Sequence, residues 1–273
     1  MSWLEAIVLG LVQGLTEFLP ISSSGHVRVV PAFFGWEDPG AAFTAVIQLG
    51  TMAAVLVYFR SDLWAIVRAW LREGRRPWRE HSHQARLGWL ILIGTIPISI
   101  FGVAFSDQIE SGARDLYLIG TALILFSLVM LLAEWVGERS RHRPLTEIGE
   151  RDGLFIGFAQ ALALVPGISR SGATISAGLL RGFDRAAAAR YSFLLSIPAV
   201  VLSGLFELRD LGDGEGASTG ATIIATLVAF ASGYAAIAWL LRYLATHTMT
   251  LFVAYRIPLG VLVLVLTATG AIS

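Results

Sequence analysis

The chain has 273 residues, 55% hydrophobic and 15% charged, with a mean hydropathy of +0.69. Soluble domains average about a quarter charged residues, so this composition excludes an ordinary soluble enzyme and points to a polytopic helical membrane protein. A formal net charge of zero argues against a nucleic-acid partner, and the absence of cysteine excludes disulfides, thiolate metal sites and cysteine nucleophiles.

All 20 basic residues are arginine, which reads as composition bias rather than chemistry. The first residues lack a basic segment and carry Glu5, unlike a secretory signal peptide. Residues 3–19 form a short apolar helix that stops at Pro20, and a second short helix is expected over 26–35, ending near Gly35. Residues 42–59 form a span. Residues 60–86 are a polar loop with seven arginines, whose WLREGRRPWRE core is expected to include an amphipathic surface helix. Residues 87–105 span, with Pro97 a candidate kink, and 106–115 form an acidic loop. Residues 116–136 span, and 137–151 form a second Arg-rich loop. Residues 153–165 are again a short apolar helix stopping at a proline, Pro166, with a short partner over 173–182. The remaining spans are 186–206, 221–241 and 251–272, the first two separated by an acidic, Gly-rich loop over 207–220.

Cytoplasmic loops are enriched in Lys and Arg. Loops 60–86 and 137–151 hold seven and four arginines, whereas 106–115 and 207–220 hold one each. The first pair is therefore expected inside and the second outside. Residues 1–41 must then enter and leave the membrane from the outer face, and 152–185 from the inner face.

The two interrupted stretches also match each other. Gly10 falls on Gly157, Gln13 on Gln160, Leu15 on Leu162, Ile21 on Ile168, Ser22 on Ser169, Ser24 on Ser171 and Gly25 on Gly172, always 147 residues apart. Inverted repeats with broken helices meeting near the midplane are a known membrane design. The expected fold is thus all-α and polytopic: six transmembrane helices plus two reentrant helix–break–helix hairpins, related as an inverted-topology repeat. It forms one membrane domain, with 1–136 and 137–273 as its halves.

Polar groups at membrane depth are costly and point to function. The first break, QGLTEFLPISSSGH, offers Gln13, Glu17, Ser22, Ser23, Ser24, Gly25 and His26. The second, QALALVPGISRSGAT, offers Ser169, Arg170, Ser171, Gly172 and Thr174. Gln13 and Glu17, four apart, share a helix face. Helix starts with Ser, Gly and free N–H groups are natural anion seats, and the Arg170 fork matches phosphate oxygens. Glu17 fits a divalent-cation ligand, a water-orienting group or a base, and His26 a nucleophile or proton donor. Together they suggest phosphate chemistry inside a membrane. Plainer roles fit too: Glu17 as a structural partner of Arg170, His26 as a hydrogen-bonding residue at a helix start, Ser24 and Ser171 as N-caps. Arg28, Arg181, Arg185, Arg190 and Arg256 lie near expected membrane ends, where snorkelling accounts for them. Glu134 is expected at an interface, and His81, His83, His142 and His247 receive no role.

At these residues the chain resembles the bacterial undecaprenyl-diphosphatase, or bacitracin-resistance, family along essentially its whole length. One motif is (E/Q)xxxE running into SSxGH, here Gln13, Glu17, Ser22, Ser23 and His26. The other is PGxSRSxxT, here Pro166, Gly167, Ser169, Arg170, Ser171 and Thr174. Gln13 stands where other members have a second Glu, so Glu17 is the only acid of the first motif. The resemblance implies hydrolysis of undecaprenyl diphosphate to undecaprenyl phosphate and inorganic phosphate, which recycles the lipid carrier for peptidoglycan. Because bacitracin binds the diphosphate, such turnover gives resistance. The resemblance further implies a divalent cation, Mg²⁺ or Ca²⁺, with Glu17 helping to hold it. It also implies a plasma (inner) membrane location with the site opening outward. The partners expected are the diphosphate lipid and membrane lipids, with a homodimer left open. His26 is slightly favoured as nucleophile over Ser23 or an activated water. The main alternative is a flippase of the same lipid phosphate. A scaffold role and an acid-phosphatase-like mechanism are disfavoured, the latter because no later His with a downstream Asp follows Ser169-Arg170.

Overall fold

The computed structural model describes residues 1–38, 40–112, 115–207 and 218–272. Among them the regular structure is helical, with one isolated bridge between Arg143 and Phe183. The helices are α1 (Trp3–Phe18), α2 (Ser23–Phe34), α3 (Gly40–Tyr58), α4 (Arg60–Glu73), α5 (His83–Ala104), α6 (Ser106–Gly112), α7 (Leu116–Glu138), α8 (Glu150–Ala161), α9 (Arg170–Leu180), α10 (Arg185–Glu207), α11 (Thr219–Leu244) and α12 (Thr250–Ala268).

Five helices, α5, α7, α10, α11 and α12, are long and apolar enough to cross a membrane, and α3 with α4 makes six across a 71° bend. Five of the six expected spans meet this measure alone, and the sixth, 42–59, only when α3 and α4 are counted together; the chain is a multi-pass membrane protein. The bend turns α4 away from α3. On α4 only Ile66 is buried, where it and Trp70 pack on Gly88 of α5. This is the amphipathic helix; it starts ten residues before the expected stretch and takes in only its first four residues, 70–73. It ends at Gly74, and Pro77 keeps the following segment out of the helix. The 106–115 segment is not irregular loop; it carries the short helix α6. The 207–220 loop lies largely outside the described residues.

Helix starts follow the local sequence. Ser2 caps α1 in a capping box with Glu5, and Ser82, Asp115 and Ser218 cap α5, α7 and α11. The two breaks are built alike. Leu19 and Val165 are extended, each just before its proline, as the proline ring requires. Ser22 and Ser169 then adopt positive φ, both 76°, and their hydroxyls accept the N–H of Gly25 and Gly172. These caps start α2 and α9 three residues earlier than expected, so Ser23 and Arg170 fall in first turns. A positive φ is strained for serine and persists only where surroundings hold it.

Packing also repeats. α1 lies against α11 and α8 against α5, each through a glycine. A Cβ on Gly10 would overlap the Ala225 carbonyl, and one on Gly157 would sit 2.5 Å from the Gly94 oxygen. Small residues let membrane helices approach this closely. At one membrane end, the buried Asp152 accepts from Arg143 (2.9 Å) and Arg181 (2.7 Å), tying the 137–151 segment to α8 and α9. The Asp152 hydrogen bond holds the Arg143 guanidinium above its ordinary pKa.

Replacing Gly157 by Val should cost about 1–3 kcal/mol through overpacking, read as a lower unfolding temperature in detergent. Gly102→Ala, whose Cβ would meet nothing closer than 3.8 Å, should leave that temperature unchanged. Equal effects of the two would refute the close α5–α8 contact.

Candidate active site

The two breaks meet. Glu17, near the end of α1, is the junction: Arg170 Nη2 donates to its Oε1 at 2.5 Å, across 153 residues of chain. Ser23 Oγ donates to Oε2 at 2.7 Å and Gln13 Nε2 at 3.1 Å. The glutamate side chain is 8% exposed and that of Arg170 16%. Structure thus gathers Gln13, Glu17, Ser23 and Arg170 into one network. The ion pair of Glu17 with Arg170 is present, and it leaves Oε2 facing a hydroxyl.

The remaining serines hold the breaks. Ser22 Oγ lies 3.3 Å from Ser24 Oγ and Ser169 Oγ 3.2 Å from Ser171 Oγ. Ser171 also donates across the junction to the Leu19 carbonyl, at 3.1 Å. The Gly25 and Gly172 N–H groups are taken by their own caps. Both glycines pack closely, Gly25 beside Ile119 and Gly172 beside Met130 of α7. The N–H groups still facing outward belong to Ser23, Ser24, Arg170 and Ser171, since a first turn has no intrahelical acceptor for them. Thr174 is turned into the core, its hydroxyl 2.5 Å from that of Ser192 on α10.

His26 is buried beside this network but not joined to it. Its Nδ1 lies 2.7 Å from the Ser22 carbonyl oxygen, which can only accept, so Nδ1 carries a proton. Its Nε2 lies 2.7 Å from the hydroxyl of Tyr255 on α12. Both ring nitrogens are therefore engaged.

Arg256 overturns a sequence expectation. It does not snorkel: it is 0% exposed. It lies six residues into α12, about 9 Å along the helix. Nη1 donates to the Pro20 carbonyl (3.3 Å), Nη2 to the Gly167 carbonyl (2.9 Å) and Nε to Ser127 Oγ (3.0 Å). One guanidinium thus holds both breaks. Gly167, at φ 94°, presents its carbonyl from a conformation only glycine takes easily. The other arginines of that expected set lie nearer the membrane ends but are paired: Arg28 with Asp38, Arg181 with Asp152, Arg185 with Glu134 and Glu138, Arg190 with Asp62. Glu134, one turn from the end of α7, is buried and also accepts the Met249 N–H. The signal for Arg256 was its depth in the last apolar run. Tyr255 and Ser127 gave none.

The family model described as "Bacitracin resistance protein BacA" matches residues 6–262. The chain belongs to this family. It is 55% identical to "Undecaprenyl-diphosphatase 3" of Frankia alni, over 100% of this chain and 97% of that one. It is 54% identical to "Undecaprenyl-diphosphatase" of Nocardioides sp., over 99% and 98%. The protein of the same name from Mycolicibacterium smegmatis is 52% identical, over 100% and 99%.

Gln160 differs from its counterpart Gln13. It is 0% exposed, and both its amide atoms lack a protein partner. The residue four positions on is Leu164 rather than a carboxylate.

Arg256→Met should leave the Pro20 and Gly167 carbonyls unsatisfied, at about 1–3 kcal/mol per buried group. The expected result is a markedly lower unfolding temperature, together with faster proteolysis between residues 18 and 24. Wild-type stability in this variant would show that the guanidinium does not hold the breaks.

Proposed function

We propose that this chain is a membrane-embedded phosphatase that hydrolyses undecaprenyl diphosphate to undecaprenyl phosphate and inorganic phosphate. The observation that carries this is the Glu17 carboxylate, held between the Ser23 hydroxyl and the Arg170 guanidinium. That arrangement is an activated nucleophile beside a phosphate-binding cation. Charge supports it as well. Glu17 offsets Arg170, whereas Arg256 is held by carbonyls and a hydroxyl only, so the junction carries an excess positive charge that suits a diphosphate.

Ser23 Oγ is the preferred nucleophile. Glu17 Oε2 takes the hydroxyl proton as the oxygen attacks the terminal phosphorus. The P–O–P bond breaks, and undecaprenyl phosphate leaves with the bonding pair. Arg170 and the first-turn N–H groups of α2 and α9 neutralise the phosphoryl oxygens. Water, deprotonated by a carboxylate returned to its basic form, then cleaves the phosphoserine. Inorganic phosphate leaves and Ser23 is restored. His26, slightly favoured by sequence, is less suited to attack because Tyr255 covers Nε2; its Nδ1–H instead steadies the Ser22 carbonyl next to the nucleophile.

A divalent cation, Mg²⁺ or Ca²⁺, belongs to the same proposal. Among the described residues no group of three or more His, Asp or Glu side chains is placed to hold a metal. Glu17 with the Gln13 amide oxygen fits an ion bound mainly through the substrate's phosphates, as Mg²⁺ commonly is. When bound, such an ion would neutralise charge on the diphosphate.

The halves 1–136 and 137–273 are read as an inverted-topology repeat, supported by the matched φ at Ser22 and Ser169. Membership of the family supports a plasma (inner) membrane protein whose site opens to the outer side, and loop charge supports placing 60–86 and 137–151 on the inner face. In that place, turnover recycles the lipid carrier and removes the target of bacitracin.

The test is phosphate release from undecaprenyl diphosphate by purified protein, with and without chelator. Glu17→Gln, Ser23→Ala and Arg170→Ala should each lower kcat by roughly 10²–10⁴-fold, and chelator should suppress release. Rapid quench of wild type should trap phosphoserine. Full activity of Ser23→Ala would move the nucleophile to His26 or water. No release by wild type, with lipid movement between leaflets of vesicles, would establish the flippase instead.

A further inference from the structure

A second pocket, of about 520 Å³, lies away from the junction, at the starts of α5 and α8. Trp78 and Trp89 form its walls, and Ile93 and Leu154 extend it along the two helices. His81 and Arg151 supply its polar side, with Glu150 at the exposed edge. His81 is 7% exposed, yet neither ring nitrogen has a protein partner. Two more buried donors beside these walls are also unpartnered: Trp70 Nε1, whose ring meets Trp89, and Arg86 Nε, whose guanidinium lies over Trp78. No carboxylate among the described residues pairs with Arg151.

Buried polar groups are normally satisfied, and each exception requires a reason. Here His81 lines the pocket, while Trp70 Nε1 and Arg86 Nε lie beside its walls; these atoms are mostly donors, so the missing ligand is rich in acceptors. Two of its lining residues, Gly74 and Trp78, adjoin Arg75, Arg76 and Arg79 in sequence, within the Arg-rich 60–86 segment. Tryptophan walls and an apolar extension suit a ligand at the membrane–water boundary. Basic pockets between transmembrane helices bind anionic lipid headgroups.

We propose that this pocket binds an anionic glycerophospholipid of the adjacent leaflet. The phosphodiester lies on His81 and Arg151 between the tryptophans, and one acyl chain runs along Ile93 and Leu154. Glu150 disfavours a dianion and fits a singly charged diester. The site is independent of the phosphatase junction.

The test uses the full-length protein in nanodiscs of equal phosphatidylglycerol and phosphatidylcholine, released into native mass spectrometry. Wild type should retain phosphatidylglycerol in preference to phosphatidylcholine. Arg151→Gln, at an exposed position, and His81→Phe, which keeps a ring in place, should each reduce that retention about fivefold. Both variants should release phosphate from a polyprenyl diphosphate in lipid-free detergent at the wild-type rate. If His81→Phe fails to fold, as shown by its unfolding temperature, Arg151→Gln decides alone. Unchanged retention in Arg151→Gln, or equal retention of both lipids by wild type, overturns the proposal. Millimolar inorganic phosphate that displaces the lipid, and binds lipid-free protein with the same dependence on Arg151, would make free phosphate the occupant and overturn the lipid assignment.

Discussion

The structure depends on keeping two interrupted helices together inside an apolar chain. A helix that stops at membrane depth exposes carbonyls and N–H groups that lipid cannot satisfy. Arg256 meets this at the carbonyl side, donating to Pro20 in the first break and to Gly167 in the second. Ser22 and Ser169 meet it at the N–H side as caps. Ser171 adds a bond from one break to the other, at Leu19. The breaks are thus satisfied mainly by each other and by α12, so neither is a stable arrangement alone.

The site follows from that constraint. Bringing the breaks together sets Arg170 against Glu17, and the same carboxylate holds Ser23. A bare ion pair would be a poor site, since each charge would quench the other. Arg256 alters the balance: its charge is met by dipoles and not by an acid, which is the basis for proposing an anion at the junction. The junction also explains the asymmetry of matched positions. Gln13 has Glu17 four residues on, while Gln160 has Leu164 and no protein partner.

Most of the fold was legible because its signals are local. Apolar runs long enough to span, prolines after short helices, and arginines gathered in two loops require no knowledge of partners. The six spans and both breaks follow from them. Positions of the helix starts were less legible. Positive φ at Ser22 and Ser169 brought α2 and α9 forward by three residues, and nothing in a serine-rich run announces which serine will cap. The surface helix α4 was displaced for a similar reason: its boundary lies at Gly74, inside the stretch expected to be helical.

The sequence by itself determined the membrane class, the apolar runs and the polar residues at the two breaks, because hydropathy, charge and residue type are carried by the chain. Only the tertiary structure decided which of them touch. Ser23 rather than His26 faces the carboxylate, because α12 brings Tyr255 onto the imidazole. Arg256, near a membrane end in sequence, lies in the interior because the breaks of α1 and α8 fold around it. Ser23 and Glu17 are only six residues apart, but the contacts of Tyr255, Arg170 and Arg256 cross 89 to 236 residues, and no local pattern encodes a partner at that distance.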